Sequence, residues 1–463
     1  MRINLQKWCM LFLCSILFQG LVFGGSAKGH RITFQIPAAK MQKVTVGYFY
    51  GKEIRSVDSS YFDAKGKVVF AGDTKWPEGL YLLQFGDKTV DFIVSEQQFF
   101  IKMDLPNLDS SANVLESPEN SIYFGYKKTV FKQKKTMDSL RGLLARDSAN
   151  AQVRFEIQQA MRKVGDYRRA FFEGHPGSLA CKVIKAGIEI KMPNRKAKGL
   201  DSTVLANAKD RIFDNLDLSD ERLIRTPYIA ENIDKYLKFT PLQPDSLMKS
   251  CDKILKRMSQ NQEIYRFALT YLSSYFETHN KPWMDVLYTY LANSYYLAGK
   301  APWINSTDIL NIKANVKRFE PLLTGKKAPA IDFMDTLGRQ TPLYSITTPY
   351  TILYFWDADC SHCQEITPKM KELYTKIRQY GVEVYAVTIQ QVPYSWKEYL
   401  IRHQLGWINV WDPINIAQVY ATYQIKSTPT IYLLDAEKKI MYKNLEFKEL
   451  EAIFEKSMRQ KNQ

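Results

Sequence analysis

The stretch "WDADCSHCQEITP", residues 356–368, sets Cys360 and Cys363 three positions apart. His362 lies between them, with Asp357, Asp359 and Glu365 close by. Three chemistries use such a pair. Thiol-disulfide exchange needs one accessible thiolate and a second thiol near enough to close a ring onto it. A structural zinc site needs two further ligands. Two core thiols need neither, because a free cysteine buries as a small apolar side chain. No second CxxC exists and His403 is the only other histidine beyond residue 320, so a zinc ligand set is not assembled by this segment.

The elements that must position the pair can be read on either side of it. "YTILYFW" (350–356) and "VEVYAVTI" (382–389) are continuous apolar runs of buried-strand length. Between them Ile366, Met370, Leu373, Tyr374 and Ile377 recur at helical spacing. This predicts a strand feeding a helix whose first turn holds both cysteines. Free N–H groups and the helix dipole stabilise a thiolate there. Cys360 is then the exposed nucleophile, and Cys363, one turn further in, the thiol that closes the ring and expels the substrate. His362 adds positive charge beside the thiolate, and Asp357 and Asp359 oppose it. "TPTIYLLD" and "KKIMYKN" read as a hairpin, and Phe447, Leu450, Ile453, Phe454 and Met458 as one face of a closing helix.

The rest of the 463-residue chain exceeds what one core organises. Residues 1–27 have the form of a cleaved export signal. Arg2 and Lys7 precede an apolar run from Cys9 to Phe23 that is too short to span a bilayer, and Gly25 and Ala27 are small. Residues 28–110 alternate apolar and polar positions between turn signals such as "DAKGK" and "KWPEG", predicting an antiparallel β-sandwich. Residues 111–320 switch to helical periodicity and predict an all-α region. Its tyrosines, Tyr271, Tyr275, Tyr288 and Tyr295 among them, suit helix packing better than a ligand groove. Residues 325–463 alternate strand and helix, predicting an α/β domain.

Charge and cysteine usage narrow the partners. The net charge is +16, yet residues 321–463 hold 17 Lys and Arg against 15 Asp and Glu, so the basic excess lies earlier in the chain. No clustered basic stretch accompanies it, which argues against nucleic acid. Beyond residue 27 only Cys181, Cys251, Cys360 and Cys363 remain, too few for a disulfide scaffold. Cys181 and Cys251 sit in apolar helical contexts where a disulfide and two buried thiols are equally compatible with the sequence.

The C-terminal third resembles the TlpA/ResA-like thiol-disulfide oxidoreductases of the Gram-negative periplasm, which have the thioredoxin fold. The resemblance rests on "FWDADCSHC", on Pro368 in the following helix and on "STPT", where Pro429 matches the family's cis-proline. It implies that Thr428 and Pro429 offer backbone to an extended substrate and keep metal from the cysteines. "FDNLDLSDERLIRTPY" (213–228) resembles the helical region of some larger members. The chain departs from the pattern in three places. Asp359 replaces the usual tryptophan, Tyr354 stands where thioredoxin buries an acid, and Ile366 takes the place of a family glutamate, with Glu365 adjacent.

The expectation is an exported enzyme of the periplasm or cell envelope that exchanges disulfides with proteins through Cys360 and Cys363. His362, Asp359 and Glu365 tune the pair, and Thr428 and Pro429 bind substrate. It needs no cofactor or metal beyond the Cys360–Cys363 disulfide, acts as reductase or isomerase rather than oxidase, and draws electrons from a membrane donor. A peroxiredoxin-like peroxidase is the enzymatic alternative, although Leu353 and Asp357 occupy two positions of the P-x-x-x-T-x-x-C pattern. The other alternative is a client-binding envelope protein with an accessory redox module.

Overall fold

The computed structural model describes residues 29–194, 201–278, 284–390 and 394–461. The expected export signal, with Cys9 and Cys14, lies outside the described residues, as does the side chain of Met458. Two compact units emerge. One takes the described residues up to Tyr48 with Arg55–Cys181, the other Phe49–Ile54 with Lys182 onwards.

The first unit begins with strands β1 (His30–Gln35), β2 (Lys43–Tyr50), β3 (Glu53–Tyr61), β4 (Lys67–Gly72), β5 (Gly79–Phe85), β6 (Lys88–Val94), β7 (Gln98–Lys102) and β8 (Asn113–Leu115). They form two sheets, ordered β4-β1-β7-β8 and β3-β2-β5-β6. Alternation buries Ile32 and Phe34 of one sheet and Val90 and Phe92 of the other, and Phe34 meets Phe92 edge-on at 4.9 Å between centroids. The pairs β1–β4, β7–β8, β2–β5 and β5–β6 are antiparallel, whereas β1 and β7 run parallel. Apolar alternation marks which face a strand buries but is indifferent to strand direction. The chain direction of β7 follows instead from its return out of the second sheet. Short α1 (Leu108–Ser111) and the long α2 (Pro118–Arg146) and α3 (Ala151–Gly174) complete this unit's helices before α4 (Leu179–Ala186). Buried Asn120 anchors α2, exchanging hydrogen bonds with the Ile93 backbone at 2.8 and 2.7 Å.

The second unit continues with α5 (Ser202–Asp210), α6 (Tyr228–Lys238), α7 (Pro244–Met258), α8 (Gln262–Thr278), α9 (Met284–Leu291) and α10 (Ser306–Phe319). Its tyrosines combine apolar ring burial with a polar tether. Tyr271 donates to Asp234 at 2.9 Å, and Tyr290 and Tyr295 both donate to Asp252. Cys181 and Cys251 are buried free thiols.

A seven-stranded sheet follows, made of β9 (Asp332–Asp335), β10 (Gln340–Pro342), β11 (Tyr350–Trp356), β12 (Val382–Thr388), β13 (Ile408–Trp411), β14 (Thr430–Leu434) and β15 (Ile440–Tyr442), in the order β10-β9-β13-β12-β11-β14-β15. Central β11 is parallel to β12 and antiparallel to β14. Its residues are buried on both faces, which is why the run is apolar without alternation. The helices are α11 (Ser361–Ile377), α12 (Tyr394–His403), α13 (Ile416–Thr422) and α14 (Phe447–Lys461). Cys363, Met370, Leu373, Tyr374 and Ile377 of α11 pack with Ile352, Tyr354 and Trp356 of β11 in one core cluster. This is the thioredoxin-like α/β domain that the sequence led us to expect.

Candidate active site

The site is built at the C-terminal end of β11. The strand ends at Trp356, the turn Asp357–Ala358–Asp359 follows, and α11 begins with Cys360 at its N-cap. The Asp357 carboxylate accepts the Asp359 N–H at 2.8 Å, and the Cys360 N–H donates to the Asp357 carbonyl at 3.2 Å. Cys360 makes no side-chain capping bond, and no acid occupies the first turn of α11. The first-turn N–H groups are thus free to stabilise negative sulfur.

The two thiols differ in environment. Cys360 is half-buried, and its Sγ donates to the Thr428 carbonyl at 3.6 Å. Burial pushes its thiol up, but hydrogen bonding from the Thr428 side chain, from the Cys363 backbone and thiol and from the His362 backbone outweighs that, so its pKa lies below the ordinary thiol value. Cys363 is fully buried, and burial pushes it up to about 12. The Asp357 N–H, 3.4 Å from its Sγ, offsets this only partly. The outer sulfur gives up its proton more readily than the inner one, which burial holds as a thiol.

The remaining sequence-derived residues fall in three places. The Thr428–Pro429 peptide is cis and presents the Thr428 carbonyl directly to Cys360. His362 is exposed, and it reaches Cys360 through its backbone N–H. Glu365 is exposed and accepts from Lys369 at 2.6 Å, a one-turn ion pair that lowers the Glu365 pKa. It lies two residues beyond Cys363, about 200° around the helix, and so faces away from the buried sulfur.

Asp359 belongs to a network that sequence reasoning missed. Buried Gln390, just beyond β12, directs its amide nitrogen to the Asp357 carboxylate at 2.8 Å and to the Asp359 carboxylate at 2.6 Å. Ser395 of α12 also donates to Asp359, at 2.9 Å. Trp411 holds the Gln390 carbonyl at 2.8 Å. The parallel pairing of β11 with β12 brings Gln390 to the carboxylates from 33 and 31 residues away; only a fold assignment could have signalled it. Tyr354, in the position of thioredoxin's buried acid, is fully buried and shares a 2.9 Å hydrogen bond with Thr367. Burial keeps its phenol protonated. Among the described residues, no group of three or more His, Cys, Asp or Glu is placed to hold a metal ion.

Comparisons with known proteins agree with this geometry. Residues 324–443 match the AhpC/TSA family model. The thiol-disulfide oxidoreductase ResA of Bacillus cereus is 28% identical over 127 residues, 27% of this chain and 70% of ResA. A crystal structure of a domain of a possible thiol-disulfide isomerase from Cytophaga hutchinsonii is 39% identical, covering 30% of this chain and 98% of that one, with a TM-score of 0.28. The thioredoxin domain of a thiol-disulfide oxidoreductase from Bacteroides vulgatus is 30% identical, covering 29% and 96%, also with a TM-score of 0.28. Residues 324–443 thus form a thioredoxin-like AhpC/TSA domain that is similar to the ResA thiol-disulfide oxidoreductases.

Proposed function

We propose that the protein is an exported oxidoreductase that reduces or isomerises disulfides of client proteins at Cys360 and Cys363. The observation that carries this reading is the contrast between a half-buried Cys360 held below the ordinary thiol pKa and a fully buried Cys363 raised to about 12. The Cys360 thiolate attacks one sulfur of a client disulfide, forming a mixed disulfide and releasing the other client sulfur as a thiolate that takes a proton from solvent. Cys363 then loses its proton and attacks Cys360 Sγ. The Cys360–Cys363 disulfide forms, and the second client sulfur leaves. Two electrons pass from the dithiol to the client, and a membrane donor restores them.

Thr428 and Pro429 offer backbone to the client beside Cys360, while His362 and Asp359 set the thiolate's stability from opposite sides. Glu365, paired with Lys369 on the exposed face, contributes long-range charge only. The apolar, basic-flanked segment before residue 28 supports export to the periplasm or cell envelope. The CxxC pair and the absence of the peroxidatic Pro and Thr at Leu353 and Asp357 favour exchange with proteins over peroxide reduction.

Stabilising the Cys360 thiolate stabilises the reduced form and raises the potential, and the neighbouring carboxylates moderate this. Equilibration against glutathione should place the pair between about −270 and about −120 mV, with His362→Pro lower because it removes both the imidazole and the backbone N–H. The reduced protein should also cleave the disulfides of insulin. A His362→Pro potential at or above wild type, or no insulin reduction, would refute the assignment. A fully oxidised pair in cells would turn the reading towards an oxidase.

A further inference from the structure

The redox site opens into a cleft of about 820 Å³ that the exchange chemistry above does not use. Its near wall is the site itself, with His362, Ser427, Pro429 and Thr430. Its far wall comes from the helical region of the same unit, with Phe276 and Glu277 of α8 and Met284 and Asp285 of α9. The helices therefore share the lining of one continuous space with His362 and Pro429, the neighbours of the thiols.

Two features mark this space as a binding site. Asp285 is 7% exposed, and one carboxylate oxygen is ion-paired with buried Lys443. The other, Oδ1, is buried and has no hydrogen-bond partner among the described residues. A buried carboxylate oxygen without a donor is unfavourable, and Asp285, which lines the cleft, would gain one by turning its carboxylate towards a donor on an occupant. The lining also carries both signs of charge, Glu277, Glu372 and Glu451 against Lys376, Lys426 and Lys448. A polyanion would meet the acids and a purely apolar ligand would desolvate both sets. A polypeptide, with a neutral hydrogen-bonding backbone and side chains of either charge, fits both.

We propose that the helical region completes the client-binding site: the segment of client polypeptide flanking the attacked disulfide lies in this cleft, against Glu277 and Asp285, and gives a hydrogen bond to Asp285 Oδ1. The proposal rests on the exchange reaction at Cys360 and assigns the helical region a direct part in choosing the client. It also explains why the cleft is continuous with Pro429, where the client backbone is first engaged.

The test uses the full chain carrying Cys363→Ser, with insulin as the polypeptide disulfide. p-Benzoylphenylalanine replaces exposed Glu277, or exposed Glu263 on the same helix but outside the cleft lining, as a control. After the mixed disulfide with Cys360 has formed, irradiation should crosslink insulin at position 277 and not at 263. In the unlabelled protein with both cysteines intact, Glu277→Trp should narrow the cleft. The ratio of kcat/KM for insulin to that for 2-hydroxyethyl disulfide should then fall at least fivefold, mainly through KM. A mixed disulfide without crosslinking at 277, or a ratio within twofold of wild type, would overturn the cleft assignment and leave the exchange chemistry standing. Failure of insulin to form any mixed disulfide with Cys360 would instead remove the exchange reading, and this inference with it.

Discussion

Alkylation of the reduced protein should separate the two active-site thiols by rate. Cys363 lies at about 12 and Cys360 is lowered from the ordinary thiol value of 9.0, so their pKa values differ by at least about 3 units. Near pH 7 the thiolate fraction at Cys360 then exceeds that at Cys363 by about 10³ or more. A more basic thiolate is intrinsically the better nucleophile, with a Brønsted coefficient of about 0.4–0.5, which returns part of that factor. The net ratio of rates is about 30 to 60 before steric shielding, and full burial of Cys363 can only enlarge it. The assay is timed iodoacetamide quenching between pH 5 and 9 with peptide mapping of both cysteines. The Cys360 rate should level off at a lower pH than that of a free thiol. A ratio below about 5 at pH 7, or the same pH dependence for both thiols, would refute the outer and inner assignment.

Three further outcomes follow from named contacts. Burial raises both Cys251 and Cys363 to about 12, so each contributes stability to the reduced fold fully below the unfolded thiol value of about 8.5 and loses it as pH rises towards 12. Unfolding midpoints of the reduced protein should therefore fall above pH 8.5, by up to about 1.4 kcal/mol per pH unit for each thiol, and Cys251→Ala should flatten the slope. Gln390→Leu removes the amide that bridges Asp357 and Asp359. It should cost about 1.5–3 kcal/mol in urea unfolding and raise the Cys360 pKa followed by thiolate absorbance at 240 nm. Lys443→Met leaves buried Asp285 unpaired and should cost about 3–5 kcal/mol by calorimetry; adding Asp285→Leu should recover much of it.

The placement of the two cysteines at the tip of β11 was legible because its signals are local. A continuous apolar run, a turn and a 3.6-residue periodicity put Cys360 and Cys363 on a helix N-terminus, and α11 carries its apolar stripe inward as the spacing requires. Thr428 and Pro429 were legible only through the family resemblance, since β14 reaches Cys360 by sheet pairing across 68 positions. Gln390 and Ser395 carry no motif, and their role appears only once β12 lies beside β11. The parallel pairing of β1 with β7 was hidden for a related reason, because alternation reports burial and not direction. Lys443 and Asp285 stand 158 positions apart in segments of different character, so nothing in either segment announces the other. Glu365 is the opposite case. Its exposure follows from counting 100° per residue from Cys363, and adjacency to the family's glutamate position outweighed that geometry in the sequence reading.

The most direct test of the account is trapping on the outer cysteine. In Cys363→Ser protein expressed at its native level, the mixed disulfide on Cys360 has no resolving thiol. The account requires covalent adducts with client polypeptides that are released by reductant, map to Cys360 and disappear in Cys360→Ser. Adducts that persist without Cys360, or a complete absence of them in Cys363→Ser while the protein is folded and its Cys360 thiol titrates, would contradict it.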